Sequence, residues 1–181
     1  MPHYLNGAQI TTAYRNSTQI STRFLNGVQV GYDHVILENG VSNYGGLTNR
    51  LIDSVTNGTG TINSTGLVLS LQAGRMQYSL ANQVPFAGFR YLNFRISQFK
   101  TDVLPGGYMM VGYNSISNGW IHVAPSAWWR QGNGSTVSAG TVFTMDMQAS
   151  GALTQGYINV ELFVWGVYPT QITIDRIWLS N

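Results

Sequence analysis

At 181 residues, with a formal net charge of +2 and no cysteine, the chain is long enough for a buried core and excludes disulfides, thiolate metal sites and cysteine nucleophiles. Hydrophobic content is 44% but charged content only 9%, where about 25% is typical; polarity comes instead from Asn, Ser, Thr, Gln and Gly, a mix suited to strands and turns. The arginines are scattered from Arg15 to Arg176 and Lys100 is the only lysine. The basic cluster that nucleic-acid binding needs is therefore missing, and no apolar run is long enough to span a membrane as a helix.

The first thirty residues repeat. Tyr4-Leu5-Asn6-Gly7-Ala8-Gln9-Ile10 returns as Tyr14-Arg15-Asn16-Ser17-Thr18-Gln19-Ile20 and as Phe24-Leu25-Asn26-Gly27-Val28-Gln29-Val30, ten residues apart each time. Asn-Gly between β-branched segments signals a hairpin, so the repeat predicts a β-meander turning at Asn6-Gly7, Asn16-Ser17 and Asn26-Gly27. Two-residue turns would set Tyr14 opposite Gln19 and move the apolar set to the other face at each strand. A half-buried sheet does not tolerate that. Three-residue bulged loops restore one face, pairing Tyr4 with Ala8, Tyr14 with Thr18 and Phe24 with Val28. That face then collects Tyr4, Ile10, Tyr14, Ile20, Phe24, Val28, Val30 and Tyr32. A small one-sided sheet must pack on something, and these eight are the expected assembly contacts.

A fourth strand follows at 34–38, closed by Asn39-Gly40, and Val41 to Asn49 reads as a linker around Gly45-Gly46. The meander module is placed at 1–44 and a second domain at 51–181. No helical periodicity appears in it. Strands are expected at Thr61-Ile62, Gly66 to Gln72, Met76 to Leu80, Tyr91 to Gln98, Tyr108 to Tyr113, Gly119 to Val123, Thr141 to Met147, Gly156 to Trp165 and Gln171 to Leu179. Short strands between turn signals indicate an all-β, jelly-roll-like β-sandwich. In the last strand Ile172, Ile174, Arg176 and Trp178 alternate with Thr173, Asp175, Ile177 and Leu179, so both faces are expected to be covered.

No two of the seven acidic residues share a motif for paired-carboxylate chemistry, and His3, His34 and His122 have no metal-ligand spacing. No enzymatic activity and no cofactor are expected. The aromatic residues say more. Trp128-Trp129 lies in a loop-like stretch between Pro125 and Gly132, where an indole beside Arg130, Gln131 and Asn133 can stack on a sugar ring while the polar groups bind hydroxyls. Trp120 joins this candidate glycan set. The bland alternative makes these tryptophans core or subunit contacts.

The tandem aromatic-Leu-Asn-Gly units resemble those of phage tail and virion accessory proteins, where they precede a globular β-domain. The strands at Gly66 to Leu71, Tyr91 to Ile96 and Tyr157 to Leu162, with the closing Ile172-Thr173-Ile174-Asp175-Arg176-Ile177-Trp178-Leu179, are similar to carbohydrate-binding-module jelly rolls. Jelly rolls of this second kind often hold a structural Ca²⁺, for which the resemblance offers Asp175 as a candidate ligand; the alternative makes Asp175 a surface or edge-strand side chain. The first resemblance implies a virion protein on the tail, baseplate or capsid surface, homo-oligomeric, in contact with other virion proteins and adhesive toward host glycan. The start, Met1-Pro2-His3-Tyr4, has no basic or apolar run, so no secretory signal is expected. The competing expectations are a decoration protein without glycan binding and a binding module of a secreted enzyme.

Overall fold

The computed structural model describes the backbone of residues 4–5, 8–15, 18–25, 28–50, 56–101, 107–115, 126–131, 138–148, 153–164 and 170–181, and the side chains of 33–50, 58–99, 109–115, 138–148, 153–164 and 170–181. Every regular element among them is a strand. In chain order these are β1 (Tyr4–Leu5), β2 (Ala8–Arg15), β3 (Thr18–Leu25), β4 (Val28–Glu38), β5 (Val41–Ser42), β6 (Leu47–Asn49), β7 (Thr56–Asn63) and β8 (Gly66–Leu80). They are followed by β9 (Val84–Pro85), β10 (Tyr91–Thr101), β11 (Gly107–Asn114), β12 (Ser126–Gln131), β13 (Thr141–Asp146), β14 (Gln155–Val164) and β15 (Thr170–Ser180). The all-β expectation holds. The strands form one curled sheet, in the order β1-β2-β3-β4-β15-β8-β14-β11-β12, with β10 and β13 added on the other edge of β15.

The curl comes from β8. Its first half pairs β15 from Leu67 to Leu71, and its second half pairs β14 from Gly74 to Ser79. Gly74, at φ +86°, bends the strand between them, a conformation open to glycine at little cost. The sequence around Ala73-Gly74 reads as a break between two strands; it is a corner within one. Folding the sheet back this way closes a sandwich-like core. Leu67, Leu69 and Leu71 of β8, Phe94 and Ile96 of β10, Val111 and Tyr113 of β11, and Val160 and Leu162 of β14 are all buried there.

Bulges decide which residues reach that core. Arg95 pairs Arg176, but Ile96 pairs Ile174, so Asp175 is one residue too many on β15; Gln98 then pairs Thr173, leaving Ser97 over on β10. Each extra residue flips the alternation. Ile172, Ile174, Ile177 and Leu179 are all fully buried in the same cluster although their spacing spans two faces. A second covering layer is not what explains the two apolar rows of this strand. β4 uses the same device. Its partners on β15 skip Ile36, and Ile36 and Leu37, adjacent in sequence, are both fully buried.

Two expectations for the first fifty residues are corrected. Leu5 pairs Ala8, Arg15 pairs Thr18 and Leu25 pairs Val28, leaving two residues between the strands of each hairpin. Tyr14 therefore stands opposite Gln19, the arrangement the one-face argument rejected. Opposed residues share a face in an antiparallel pair, and here Ile10 opposes Arg23, Phe24 opposes Gln9 and Gln29, Ile20 opposes Ala13 and Tyr32 opposes Thr22. Tyr4, Val28 and Val30 complete the expected set: Tyr4 opposes Gln9, Val28 opposes Leu25, and Val30 falls inside a register shift. The eight positions do not form one row. The turn residues Asn6-Gly7, Asn16-Ser17 and Asn26-Gly27 lie outside the described residues. The second correction is that Val41 to Asn49 is not a linker. β5 pairs β4, β6 pairs β8, and the backbone N–H groups of Ala81 and Asn82 donate to Gly46 and Tyr44.

Candidate ligand-binding site

The expected tryptophan loop is a strand. Ser126 to Gln131 form β12, paired along β11 with Trp128 opposite Gly112, Trp129 opposite Val111, Arg130 opposite Met110 and Gln131 opposite Met109. Trp120 and Asn133 lie outside the described residues, as do His122 and the strand expected at Gly119 to Val123. Asp175 is committed elsewhere. Arg95 Nε and Nη2 donate to its two carboxylate oxygens at 2.9 Å each, and that hydrogen-bonded pairing pushes the Arg95 pKa up. A cation at Asp175 would have to displace a guanidinium. Glu161, fully buried on β14, is held by Arg75 at 2.9 Å. Glu161 and Asp175 are thus two separate ion pairs on strands divided by β8.

One concave site among the described residues is a cleft of about 290 Å³, just below the roughly 300–1,000 Å³ usual for ligand sites. It is lined by Phe86, Phe89, Tyr113, Met147 and Leu153, of which Phe89 and Leu153 are partly exposed and the other three buried, and by the polar Arg90, Gln148, Thr154 and Asn181. The loop from Phe86 to Arg90 builds one wall and is tied at both ends. Phe86 and Ala87 N–H groups donate to the Thr154 carbonyl at 2.9 and 3.1 Å, and Arg90 N–H donates to Ser180 O at 3.0 Å. Between them the chain turns through Gly88 at φ +89°.

Each aromatic is fixed by its neighbours. Phe86 meets Tyr113 at 5.0 Å between ring centroids, tilted by 57°, a favoured aromatic geometry. Gly156 makes the seat for Phe86, since a Cβ there would lie 2.8 Å from the ring and 2.5 Å from Asn114 O. Tyr113 is fully buried, and its hydroxyl donates to Met147 O at 3.3 Å. Phe89 is half-buried and leans on the His34 ring at 5.5 Å; His34 in turn shares a hydrogen bond with the Tyr44 hydroxyl. Burial lowers the His34 pKa, so its ring stays neutral near pH 7.

At the rim, Arg90 Nε and Nη2 donate to Asp146 Oδ2 at 3.0 and 2.8 Å, while Asp146 Oδ1 accepts from Gln148 N–H at 3.0 Å. This fork holds a guanidinium and a carboxylate in fixed orientation beside a hydrophobic floor. Such a site can stack the C–H face of a ring and bind hydroxyls around its edge. Sequence reasoning missed it. The available signal was Pro85-Phe86-Ala87-Gly88-Phe89-Arg90, two aromatics straddling a glycine in a short loop.

Outside the cleft, the outward rows of β13, β10, β15 and β4 carry a set of polar and aromatic groups. Arg176 pairs Asp33 at 3.3 Å and Glu38 at 3.2 Å, and its guanidinium carbon lies 4.6 Å from the centre of the Trp178 ring. Arg90 lies 5.0 Å from the centre of the Tyr91 ring. Asn93 donates to Ser180 Oγ at 3.0 Å and accepts from Thr144 Oγ1 at 2.8 Å.

No family model matches the chain, and no curated protein matches it. Among solved structures it is similar to the Glycosylation Associate Protein (Gap123) complex from Streptococcus agalactiae, with 13% identity and a TM-score of 0.43 over 83% of this chain and 26% of that one. It is also similar to the enzymatically active domain of tailspike protein 4 of bacteriophage CBA120, with 13% identity and a TM-score of 0.39 over 76% of this chain and 21% of that one. The chain therefore spans about a quarter and a fifth of the lengths of these structures.

Proposed function

We propose that the protein is a non-enzymatic accessory protein of a bacteriophage virion that adheres to a host-surface glycan, and that the cleft beside Phe89 and Arg90 takes a sugar ring. The observation that carries the reading is the cleft itself. It sets an apolar aromatic floor against a guanidinium–carboxylate fork, the combination an amphipathic pyranose needs. The virion assignment rests on the N-terminal repeats that resemble those of tail and virion accessory proteins. In this reading the meander contacts other virion proteins or further copies of the chain, and the cleft end faces outward.

The test is co-sedimentation of the purified protein with bacterial cell-wall glycan and capsular polysaccharide. Retention is expected, and Phe89→Ala is expected to weaken it about tenfold, the value of one aromatic contact plus its buried area. Retention unaffected by Phe89→Ala and Arg90→Ala would remove the cleft from the proposal; Trp128→Ala and Trp129→Ala in the same assay test β12 as the contact. No retention of either polymer would leave the protein a structural decoration.

A further inference from the structure

We infer that the outward face of β13, β10, β15 and β4 is a second sugar subsite continuous with the cleft, so that the ligand is a chain of uncharged sugars and not a single ring. This rests on the glycan reading above.

Register defines the face. Asp146, Tyr91 and Ser180 form one row across β13, β10 and β15; Thr144, Asn93, Trp178 and Val35 form the next; Val142, Arg95, Arg176 and Glu38 form the third. The alternate residues Leu92, Phe94, Ile177 and Leu179 are fully buried, so these rows point away from the core. Trp178 and Tyr91 are half-buried on that outer side. An indole placed there adds nothing to the core; the Arg176 guanidinium lies over its ring at 4.6 Å, and the part of its surface that stays exposed is what a ligand can reach.

The charges narrow what the face can hold. Four of the seven acidic residues of the sequence, Asp33, Glu38, Asp146 and Asp175, are paired with its arginines. Among the described side chains of this face, Arg90, Arg95 and Arg176 are each committed to a carboxylate, which leaves them no uncompensated charge for a phosphate backbone or an acidic polymer to neutralise. The pairing leaves planar, oriented forks whose remaining N–H groups and lone pairs suit neutral hydroxyls. Aromatic rings set among neutralised forks match a polyhydroxylated, uncharged chain.

Continuity supplies the length. Arg90 lines the cleft, and its partner Asp146 starts the first row, so the two surfaces meet at this pair. Trp178 lies one row further along and two strands across from Asp146, about 12 Å away at strand spacing and within the span of a few linked sugar rings. A ring in the cleft and a ring against Trp178 belong to one chain passing over Tyr91.

The experiment uses the full chain and two series of neutral probes, N-acetylglucosamine oligomers and glucose oligomers, each graded from the single sugar to the hexasaccharide and titrated by calorimetry. Affinity is expected to rise about tenfold or more between the single sugar and the tetrasaccharide in the series that binds, and to hold when salt is raised to about 0.5 M. Trp178→Ala is expected to abolish the gain in affinity with length. Tyr91→Ala, which replaces a different ring, is expected to reduce the gain and guards against misfolding of the first variant. Phe89→Ala should weaken every length equally. If single sugars bind through Phe89 but affinity ignores both chain length and Trp178, the second subsite is overturned and the cleft reading stands. If no oligomer in either series binds, the inference is overturned together with that reading. Binding that disappears in high salt overturns the uncharged class.

Discussion

His34 lies in β4 with its ring against Phe89 and hydrogen-bonded to Tyr44, and burial lowers its pKa below the ordinary value of about 6.5. The unfolded chain takes up a proton near that ordinary value, while the folded chain resists until the pH is lower. Between the two pKa values the unfolded state binds more protons, so stability is complete above the unfolded pKa and is lost as pH falls through the folded one. The melting temperature should be level from about pH 8 to 7 and decline from about pH 6.5 downward. His34→Gln keeps a hydrogen-bonding side chain for Tyr44 but does not titrate. Its melting temperature should lose the part of the decline that sets in just below neutrality, where paired carboxylates are not yet protonated. An unchanged pH profile in the variant would show that His34 is not the group responsible. Because the Phe89 wall of the cleft rests on this ring, the same titration reports on how firmly the site is built.

At the scale of elements, the Asn39-Gly40 turn shows what local sequence determines well. Asn39 at φ +47° and Gly40 at φ +79° form a tight reversal, and Glu38 pairs Val41 directly across it, as expected for Asn-Gly. A Cβ on Gly40 would fall 1.7 Å from Asn63 O. Gly40→Ala combines that backbone clash with a positive φ and should cost at least about 2 kcal/mol, measured by urea denaturation. A cost below about 0.5 kcal/mol would mean that the turn relaxes freely and does not fix the approach of β4 to the end of β7. Asn-Gly is legible because its chemistry is local. Parity was not, because one bulged residue inverts everything after it. Alternation alone makes the closing strand apolar on two faces, whereas Asp175 merely shifts the phase; the demand for one apolar face predicts three-residue loops in the meander, whereas its register leaves two residues between strands. Pro125 and Gly132 make Trp128-Trp129 look like loop, but proline is tolerated just before a strand and the pairing of β12 with β11 is non-local. The cleft draws on the segment after β9, on β11, on the residues just after β13 and just before β14, and on Asn181 after β15, and no window of sequence contains it.

For the whole molecule, the decisive element is β4, which serves two assemblies at once. Residues 28–33 pair β3 of the meander and residues 34–38 pair β15 of the sandwich-like core. Splitting the chain at its composition break, near residue 50, removes β4 with the meander. Such a chain, beginning at Leu51, would lose Ile36 and Leu37, both fully buried, at about 2–3 kcal/mol each. It would also expose the edge of β15 to intermolecular pairing. Against a total stability of about 5–15 kcal/mol, that loss is enough to unfold or aggregate it. A chain beginning at Asp33 keeps the second half of β4 and should melt within about 5 °C of the full protein. Light scattering on the full chain and on the Asp33 chain then isolates the repeats: assembly through the meander requires an oligomer that becomes a monomer on truncation. Monomeric masses for both would assign the meander to a partner other than a further copy of this chain. A well-folded chain from Leu51 would show that β4 belongs energetically to the repeats, and that the core closes without Ile36 and Leu37.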